Sequence, residues 1–265
     1  MFDYIQVPVV DMREFPTRES KVVSQALWGE KVNIQNRSGD WLSIATPDGY
    51  SGWVPPSSII QREEIYSGHI EVTRLSAHIY PIPDIEFGPL KTLPFGSKLH
   101  ILESSDLRWV KILLPEEKEA YIQKGDIVSE PPIRNKRDLI PFSKKFLDLP
   151  YTWGGRSSFG YDCSGFVQML YHRLGVPLPR DARQQICDGR LKSLALEEIT
   201  PGDLIFFGKS EEKIAHVGMC LEGAFFIHAS SRENKPYLRI SSLSDLEWSG
   251  HKEATYPFRA ARRIT

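Results

Sequence analysis

The sequence predicts an α+β protein in which two small β-units precede a third domain of helices followed by antiparallel strands. Three observations support this: an internal repeat in the first half, a proline-rich charged stretch near residue 130, and a later change from helical to strand-like patterns. Helices followed by antiparallel strands are typical of a two-layer α+β domain. The expected domain boundaries are 1–62, 63–130 and 131–265.

The first half of the chain contains one short β-pattern twice. Gly29-Glu-Lys-Val-Asn-Ile returns 67 positions later as Gly96-Ser-Lys-Leu-His-Ile, and Trp41-Leu-Ser-Ile returns 68 positions later as Trp109-Val-Lys-Ile. Repeated strand patterns separated by turn residues indicate two copies of one β-fold. The order of glycine turn, strand, Trp-x-x-Ile strand and hairpin resembles bacterial SH3-like barrels, which close their own sheet edges.

Composition excludes several classes of function. The 265 residues carry a net charge of −1, which gives no electrostatic case for binding nucleic acid or an anionic membrane. No stretch approaches the roughly 18 apolar residues that span a bilayer. The first residues lack the basic and apolar segments of a secretion signal, and three cysteines are too few for a disulfide framework. We therefore expect a cytoplasmic protein with no nucleic-acid or membrane partner; the sequence leaves the oligomeric state open, with a monomer as the expectation.

Cys163 is the candidate nucleophile. A glycine-rich loop that begins at Tyr151 leads into a helix whose apolar residues are three and four positions apart, and Gly175 ends this helix. Asp162 is the expected N-cap. Unpaired backbone N–H groups and the positive end of the helix dipole would then favour the thiolate of Cys163, which is its reactive form. The alternative is that Cys163 is an ordinary buried thiol.

Two of the seven histidines can serve a catalytic cysteine, which needs a base within hydrogen-bonding reach. A three-residue turn, Leu221-Glu222-Gly223, would place Cys220 opposite Ala224 and His216 opposite His228 on one face of a hairpin. A two-residue turn would place the histidines on opposite faces. In the first register His216 is the base and His228 orients its ring.

Two alternatives for this pair stay open. The histidines can be ordinary hydrogen-bonded residues of a sheet, or they can bind a metal together with the nucleophile. No Cys-x-x-Cys or His-x-x-x-His spacing supports zinc, so we expect no metal and no cofactor. The other two cysteines, Cys187 and Cys220, are expected to pack in the core.

Five ordered motifs resemble the NlpC-type cell-wall cysteine peptidases: Tyr-x-Trp-Gly-Gly, Asp-Cys-Ser-Gly-Phe, Pro-Gly-Asp-Leu-Ile-Phe-Phe, His-Val-Gly and Ile-His-Ala. The resemblance implies a papain-like fold and hydrolysis of peptidoglycan stem peptides, commonly at the amide between γ-D-glutamate and a diamino acid. It implies that Cys163 is the nucleophile, His216 the base and His228 the orienting residue. Tyr151 would donate to the oxyanion, and Trp153 of the same motif would contact substrate.

Members of this family with tandem SH3-like barrels and no secretion signal resemble muropeptide-recycling enzymes, which require a free N-terminal L-alanine. In that scheme Asp162 and Ser164 would hold the substrate amine and backbone, and Asp181 would face the diamino acid. Tyr50, with Glu19, would close the far end of the site.

The resemblance covers residues 140–262 and has one departure. The family's Arg-x-Ser-x-x-Gln stretch has Ala182 in the serine's place, which leaves the fine specificity open. Other functions remain as alternatives: a wall-binding protein without activity, a hydrolase that remodels intact cell wall, and another thiol acyl hydrolase or transferase on the same fold. The intact Cys/His/His set argues against the first, because binding alone needs no nucleophile.

Overall fold

The structure, a computed structural model, describes four stretches of the chain: residues 1–63, 70–127, 133–249 and 256–264. These stretches form two compact units, which are Met1–Pro131 with Ser157–Phe159 and Pro132–Arg156 with Gly160–Thr265. The predicted domain boundary at residues 130 and 131 lies outside the described residues. The division into three domains stays a prediction.

The first unit contains two antiparallel sheets. The first sheet has the order β3-β2-β6-β5-β4-β1-β7 and consists of β1 (Phe2–Ile5), β2 (Val9–Arg13), β3 (Val22–Leu27), β4 (Lys31–Ser38), β5 (Trp41–Ala45), β6 (Ser51–Val54) and β7 (Ile59–Arg62). The second has the order β10-β9-β13-β12-β11-β8 and consists of β8 (Ile70–Glu71), β9 (Ser76–Tyr80), β10 (Lys91–Pro94), β11 (Lys98–Glu103), β12 (Trp109–Leu113) and β13 (Glu119–Gln123). Short 3-10 turns lie at Pro56–Ser58 and Lys124–Asp126.

The two sheets repeat one strand order. The order β3-β2-β6-β5-β4-β1 corresponds strand for strand to β10-β9-β13-β12-β11-β8. The repeated tryptophans occupy equivalent places, since Trp41 begins β5 and Trp109 begins β12. Each sheet also has its own buried apolar cluster. The sequence repeat is therefore a structural repeat, while the identity of the second copy as an SH3 domain stays a prediction.

The two copies share packing at the repeated glycine turn. Trp28 follows β3 of the first sheet but lies in the apolar cluster of the second. Its carbonyl accepts a hydrogen bond from Lys98 N at 3.1 Å. Gly29 has a φ of +75°, and a Cβ at this position would lie 2.6 Å from Lys98 O. Glycine is required here both by the left-handed backbone and by the close approach of β11.

The second unit has three helices and one large antiparallel sheet among its described residues. The helices are α1 (Leu139–Lys144), α2 (Cys163–Arg173) and α3 (Ala182–Gln185). Strand β14 (Arg156–Ser157) begins in this unit and ends in the first. The other strands are β15 (Gly160–Tyr161), β16 (Leu191–Leu194), β17 (Leu204–Gly208), β18 (Ile214–Cys220), β19 (Phe225–Ser230), β20 (Tyr237–Ser242) and β21 (Phe258–Ile264). The large sheet has the order β16-β21-β17-β18-β19-β20, and 3-10 turns lie at Leu196–Glu198, Glu211–Lys213 and Arg232–Asn234.

The predicted order of helices followed by antiparallel strands is confirmed. Helix α2 begins directly after the predicted N-cap, Asp162, and ends before Gly175, whose φ is +82°. Strands β17, β18, β19 and β21 overlap the segments that the sequence predicts as strands, which are 201–207, 214–221, 224–229 and 256–262. Two further strands, β16 and β20, were not predicted, and β20 contributes to the candidate site.

The aspartate of the Pro-Gly-Asp motif ties the sheet to neighbouring segments. The carboxylate of Asp203 is fully buried and accepts hydrogen bonds from Lys136 Nζ and Arg263 Nη2, both at 2.6 Å. Burial alone would raise the pKa of Asp203, but the hydrogen bonds from Arg263 and Lys136 outweigh it and lower the pKa. This part of the motif therefore has a structural role, because a buried carboxylate is stable only with such partners.

Candidate active site

Cys163 is the first residue of α2, and the preceding loop fixes this helix end. Asp162 is the N-cap, and its Oδ1 accepts a hydrogen bond from Gly165 N at 2.7 Å. Asp162 N in turn donates to Gly155 O at 3.0 Å. A Cβ at residue 165 would clash with this same carbonyl, so the loop can pack against the first turn only because residue 165 is glycine. The Asp-Cys-Ser-Gly motif thus builds the cap and leaves Cys163 at the helix N-terminus.

The Cys163 thiol is protonated in the free protein. Burial raises its pKa to about 12, and the neighbouring Asp162 carboxylate acts in the same direction. Backbone N–H groups of Val217 and Ser164 favour the thiolate but do not outweigh the burial. The prediction of a resting thiolate is therefore wrong. Burial removes water from around the anion, and this destabilises the thiolate more than the helix N-terminus stabilises it. The hydrogen bond from Val217 also places the sulfur beside β18.

The other two cysteines have different surroundings. Cys220 is buried in β18, and burial raises its pKa to about 11. Cys187 is exposed, so the prediction that it packs in the core is wrong. Helix α3 ends at Gln185, and the chain turns at the surface immediately afterwards.

The hairpin between β18 and β19 has a different loop from the predicted one. Leu221 N donates to Phe225 O at 2.8 Å, so the three loop residues begin one position later than expected. Cys220 therefore pairs with Phe226, and the predicted pairing with Ala224 is wrong. This register buries the Phe226 ring completely and leaves Ala224 exposed in the loop. The observed register is therefore favoured, because it removes the larger apolar side chain from water.

The shift in register keeps the two histidines on one face. The predicted direct pairing of His216 with His228 is wrong by two positions, but an even shift does not change the face. Nε2 of His216 lies 2.7 Å from Nδ1 of His228, and Nε2 of His228 lies 3.0 Å from Oγ of Ser241 on β20. Gly218 provides space, since a Cβ there would lie 3.3 Å from His228 Cβ and 2.8 Å from the Phe226 ring.

This chain of contacts defines which nitrogen can act as base. Nε2 of His216 is engaged with His228, which leaves Nδ1 for proton transfer. If Nε2–H of His216 donates to Nδ1 of His228, then Nε2–H of His228 donates to Ser241 Oγ, and both hydrogen bonds are satisfied. In this arrangement His228 and Ser241 hold the His216 tautomer in which Nδ1 is an acceptor. Sequence reasoning did not find Ser241, because it lies on the unpredicted strand β20.

Both histidines are neutral in the folded protein. Burial lowers the pKa of His216 to about 3, and the positive charges of Arg239 and Arg232 act in the same direction. Burial also lowers the pKa of His228, with further contributions from His216 and Arg239. A neutral imidazole is the form that accepts a proton. The resting site therefore contains a neutral thiol beside a neutral base.

We expect the protein to lose stability as the pH falls below about 6.5, the ordinary pKa of histidine. His216 titrates at about 3 in the folded state and near 6.5 when unfolded, so between these values the unfolded state binds more protons. In this pH range each such histidine lowers the free energy of unfolding by about 1.4 kcal/mol for every pH unit of acidification. Urea unfolding at pH 7 and pH 5 should differ by about 2–4 kcal/mol, and a His216→Gln/His228→Gln variant should lose most of this difference. Equal unfolding free energies of the unmodified protein at both pH values would contradict the assignment.

Tyr151 lies in the loop that precedes α2. Its backbone N donates to Pro236 O at 2.8 Å, which ties the loop to the segment before β20. Burial raises the pKa of its phenol, and the negative charge of Cys163 acts in the same direction when that residue is ionised. The hydroxyl therefore stays protonated close to the nucleophile. A protonated phenol in this place can donate a hydrogen bond to an oxyanion.

Arg180 is a buried member of the site. Its side chain is 1% exposed, and its Nη2 and Nη1 lie 2.7 Å and 3.0 Å from the two carboxylate oxygens of Asp162. Nη1 also lies 3.0 Å from Oγ of Ser164. Two predicted substrate-binding residues are thus held by one buried cation. The Pro-Arg-Asp sequence is the available signal for Arg180, since a buried arginine needs a carboxylate partner.

The remaining predicted site residues are divided between the two units. Trp153 is 59% exposed in the loop before α2, and Asp181 caps α3, with its N donating to Gln184 Oε1 at 3.4 Å. Both belong to the unit that carries the nucleophile. Tyr50 is half-buried and Glu19 is exposed in the first unit. Contact of these four residues with a substrate stays a prediction.

The described residues contain neither a metal-binding cluster nor a membrane-spanning helix. Within 1–63, 70–127, 133–249 and 256–264, no group of three or more His, Cys, Asp or Glu side chains is arranged to hold a metal ion. Over the same stretches, no helix has the length and apolar character needed to cross a membrane.

Comparison with known proteins identifies the family. A model of the NlpC/P60 family matches residues 148–254, and a bacterial SH3 domain model matches residues 8–60. The chain is 31% identical over 243 residues to a γ-D-glutamyl-L-lysine dipeptidyl-peptidase of Bacillus cereus, covering 84% of this chain and 72% of the relative. The chain belongs to the NlpC/P60 family.

Two further matches extend over most of the chain. Dipeptidyl-peptidase 6 of Lysinibacillus sphaericus is 26% identical over 246 residues, which is 87% of each chain. The crystal structure of an NlpC/P60 family protein from Bacillus cereus has a TM-score of 0.83 and 25% identity, covering 100% of this chain and 99% of that one. The predicted fold class, a papain-like α+β domain after an SH3-like N-terminal region, is confirmed, as is the predicted enzyme class of cysteine peptidase.

Proposed function

We propose that this NlpC/P60 protein hydrolyses the amide bond between γ-D-glutamate and a diamino acid in peptidoglycan stem peptides. The observation that carries the proposal is the buried contact of 2.7 Å between His216 and His228, on two strands against which the helix that begins at Cys163 packs. This is the nucleophile, base and orienting group of a cysteine peptidase. The name of the Bacillus cereus relative, a γ-D-glutamyl-L-lysine dipeptidyl-peptidase, supports the choice of bond.

The proposed reaction begins with proton transfer. Because the thiol and the imidazole are both neutral at rest, Nδ1 of His216 accepts the Cys163 proton as the sulfur attacks the amide carbonyl. The Tyr151 hydroxyl and a backbone N–H near Cys163 donate to the oxyanion; one such donor is worth about 10²–10³ in kcat. His216 then protonates the leaving amine, and water hydrolyses the thioester.

We further propose that the substrate is a short peptide with a free N-terminal L-alanine. Asp162 adjoins the nucleophile, and its side chain is 13% exposed, so it can contact an ammonium group in addition to Arg180. Ser164 lies in the same hydrogen-bonded group. Tyr50 and Glu19 are the proposed contacts from the first unit, and Asp181 and Trp153 those from the second.

The proposed substrate also suggests where in the cell the protein acts. Short peptides released from peptidoglycan are the substrates of recycling, so we propose that this protein acts in the cytoplasm. We separately propose that it is a monomer. Cell fractionation against a cytoplasmic marker protein tests the location, and sedimentation of the purified protein tests the oligomeric state. Recovery of the enzyme outside the cell would contradict the recycling assignment.

Hydrolysis of matched peptides tests the proposed function. We expect cleavage of L-Ala-γ-D-Glu-diaminopimelate and of its L-lysine counterpart, and about ten- to a hundredfold lower kcat/KM when the alanine amine is acetylated, because a charge-assisted contact is lost. Mass spectrometry of the products under identical conditions gives the ratio. In Asp162→Asn, which removes the charge and keeps an N-cap oxygen, this ratio should shrink.

Three outcomes would contradict this proposal. Equal rates on the free and acetylated peptides would exclude recognition of the amine. Efficient digestion of intact cell-wall preparations would indicate a wall-remodelling hydrolase, whereas absence of cleavage of either peptide would indicate another thiol acyl chemistry.

A further inference from the structure

Trp248 covers both rings of the histidine pair. Its side chain is fully buried, and its ring centroid lies 5.0 Å from that of His216 and 4.9 Å from that of His228. The indole is tilted by 31° to the first ring and stands at 87° to the second. It also contacts the Phe207 and Phe226 rings, at 5.1 Å and 5.7 Å. A single side chain therefore borders both partners of the hydrogen bond.

The backbone fixes this indole between two strands. In the turn after β20, Ser242 N donates to Asp245 Oδ2 at 2.8 Å, and Trp248 N donates to Asp245 O at 3.0 Å. Phe258 N, at the start of β21, donates to Trp248 O at 3.1 Å. The position of the ring is thus tied to the sheet that carries the histidines.

The indole is chemically unusual for a residue that only fills space. Among the described residues its buried Nε1 has no hydrogen-bond partner, and burying a donor in this way is unfavourable. A phenylalanine would avoid that unfavourable term but has a smaller ring. The larger indole ring covers two imidazoles at once. The apolar area that it buries over the pair therefore offsets the unfavourable free energy of the unpaired N–H.

We propose that Trp248 is a positioning residue that excludes water from the hydrogen bond between His216 and His228. Water in that space would compete for both ring nitrogens, whereas a hydrogen bond in an apolar environment is stronger and better defined. With the bond protected, His216 keeps the orientation in which Nδ1 is free to serve the nucleophile. The proposal depends on the proposed function only in that His216 is the base.

The groups around His216 determine how this proposal can be tested by pH. The titratable and charged groups near it are His228, Arg232, Arg239 and Tyr256, and helix α2, which begins at Cys163, packs against its strand β18. None of them changes when Trp248 is replaced. A change in the titration of His216 would then report the access of water to its ring, because a hydrated imidazole returns toward its ordinary pKa.

Kinetics of Trp248 variants form the first arm of the test. We expect Trp248→Ala to lower kcat by about ten- to a hundredfold through misplacement of the base, with KM little changed. The acid limb of kcat/KM should move to higher pH, because His216 then binds a proton more readily. Trp248→Phe should recover most of the rate. Trp28→Ala, which removes an equally buried tryptophan from the first unit, should reduce stability without moving the acid limb.

Proton NMR forms the second arm and does not depend on the substrate. The proton shared by His216 and His228 should give a slowly exchanging low-field signal in the unmodified protein, retained in Trp248→Phe and lost in Trp248→Ala. If the alanine variant fails to fold, Trp248→Leu takes its place in both arms. A folded Trp248→Ala or Trp248→Leu variant that keeps the signal, the kcat and the acid limb would overturn the proposal. Failure to cleave the tripeptide would overturn the proposed function while the NMR arm still decides the role of Trp248.

Discussion

Replacing Cys163 with alanine is expected to lower kcat by about 10⁴-fold or more, and His216→Ala should have nearly the same effect. The two losses match because burial keeps the thiol protonated and the imidazole neutral, so the sulfur cannot attack until His216 takes its proton. Groups that act in one step are not additive, and the double variant should be no slower than either single variant. Steady-state hydrolysis of the free tripeptide, with products measured by mass spectrometry, checks all three.

The residues behind the base provide graded controls for this result. His228→Gln should keep part of the activity, because an amide oxygen can still accept from Nε2 of His216. Ser241→Ala should lower kcat less than His228→Gln does, since it removes only the acceptor at 3.0 Å from His228. Complete loss in His228→Gln, equal to that in His216→Ala, would contradict an orienting role. Circular dichroism and a metal assay would then distinguish misfolding from metal binding.

The sequence predicts the elements that carry the site because their signals are local. The three-and-four spacing after Cys163 and the N-cap at Asp162 fix α2 without reference to the rest of the chain. The histidine face was also predictable although the register was wrong. Side chains alternate with a period of two, so a hairpin that slips by two residues keeps His216 and His228 on the same side.

The contacts that close the site could not be predicted in this way. Arg180 meets Asp162 across 18 positions of sequence, and Trp248 reaches His216 only because β20 and the turn after it bring it back over the sheet. Neither pairing has a characteristic spacing. The state of the thiol was mispredicted for a related reason: the helix N-terminus can be read from the sequence, whereas the burial of Cys163, which dominates its pKa, depends on tertiary packing.

Replacing Arg180 with methionine is expected to destabilise the protein by about 3 kcal/mol, since removing one partner of a buried ion pair leaves the other charge uncompensated. The stranded group would be Asp162, which also caps α2 and adjoins the nucleophile. Arg180→Lys keeps the charge but not the planar fork that contacts both carboxylate oxygens at 2.7 Å and 3.0 Å, so its stability should be intermediate. Urea unfolding of the purified variants measures the differences.

The double variant Arg180→Met/Asp162→Asn separates the ion pair from simple loss of packing. It removes both charges and keeps an oxygen that can accept from Gly165 N, so it should be more stable than Arg180→Met alone, with a coupling of about 0.5–3 kcal/mol. The rate on the N-acetylated tripeptide, which does not depend on a contact between Asp162 and the substrate amine, should follow the same order. In Arg180→Met the unbalanced carboxylate opposes the negative charge that develops on Cys163, because Asp162 raises and Arg180 lowers the pKa of that thiol. If Arg180→Met and the double variant were equally stable and equally active, Arg180 would be a packing residue and not the partner that balances Asp162 beside the nucleophile.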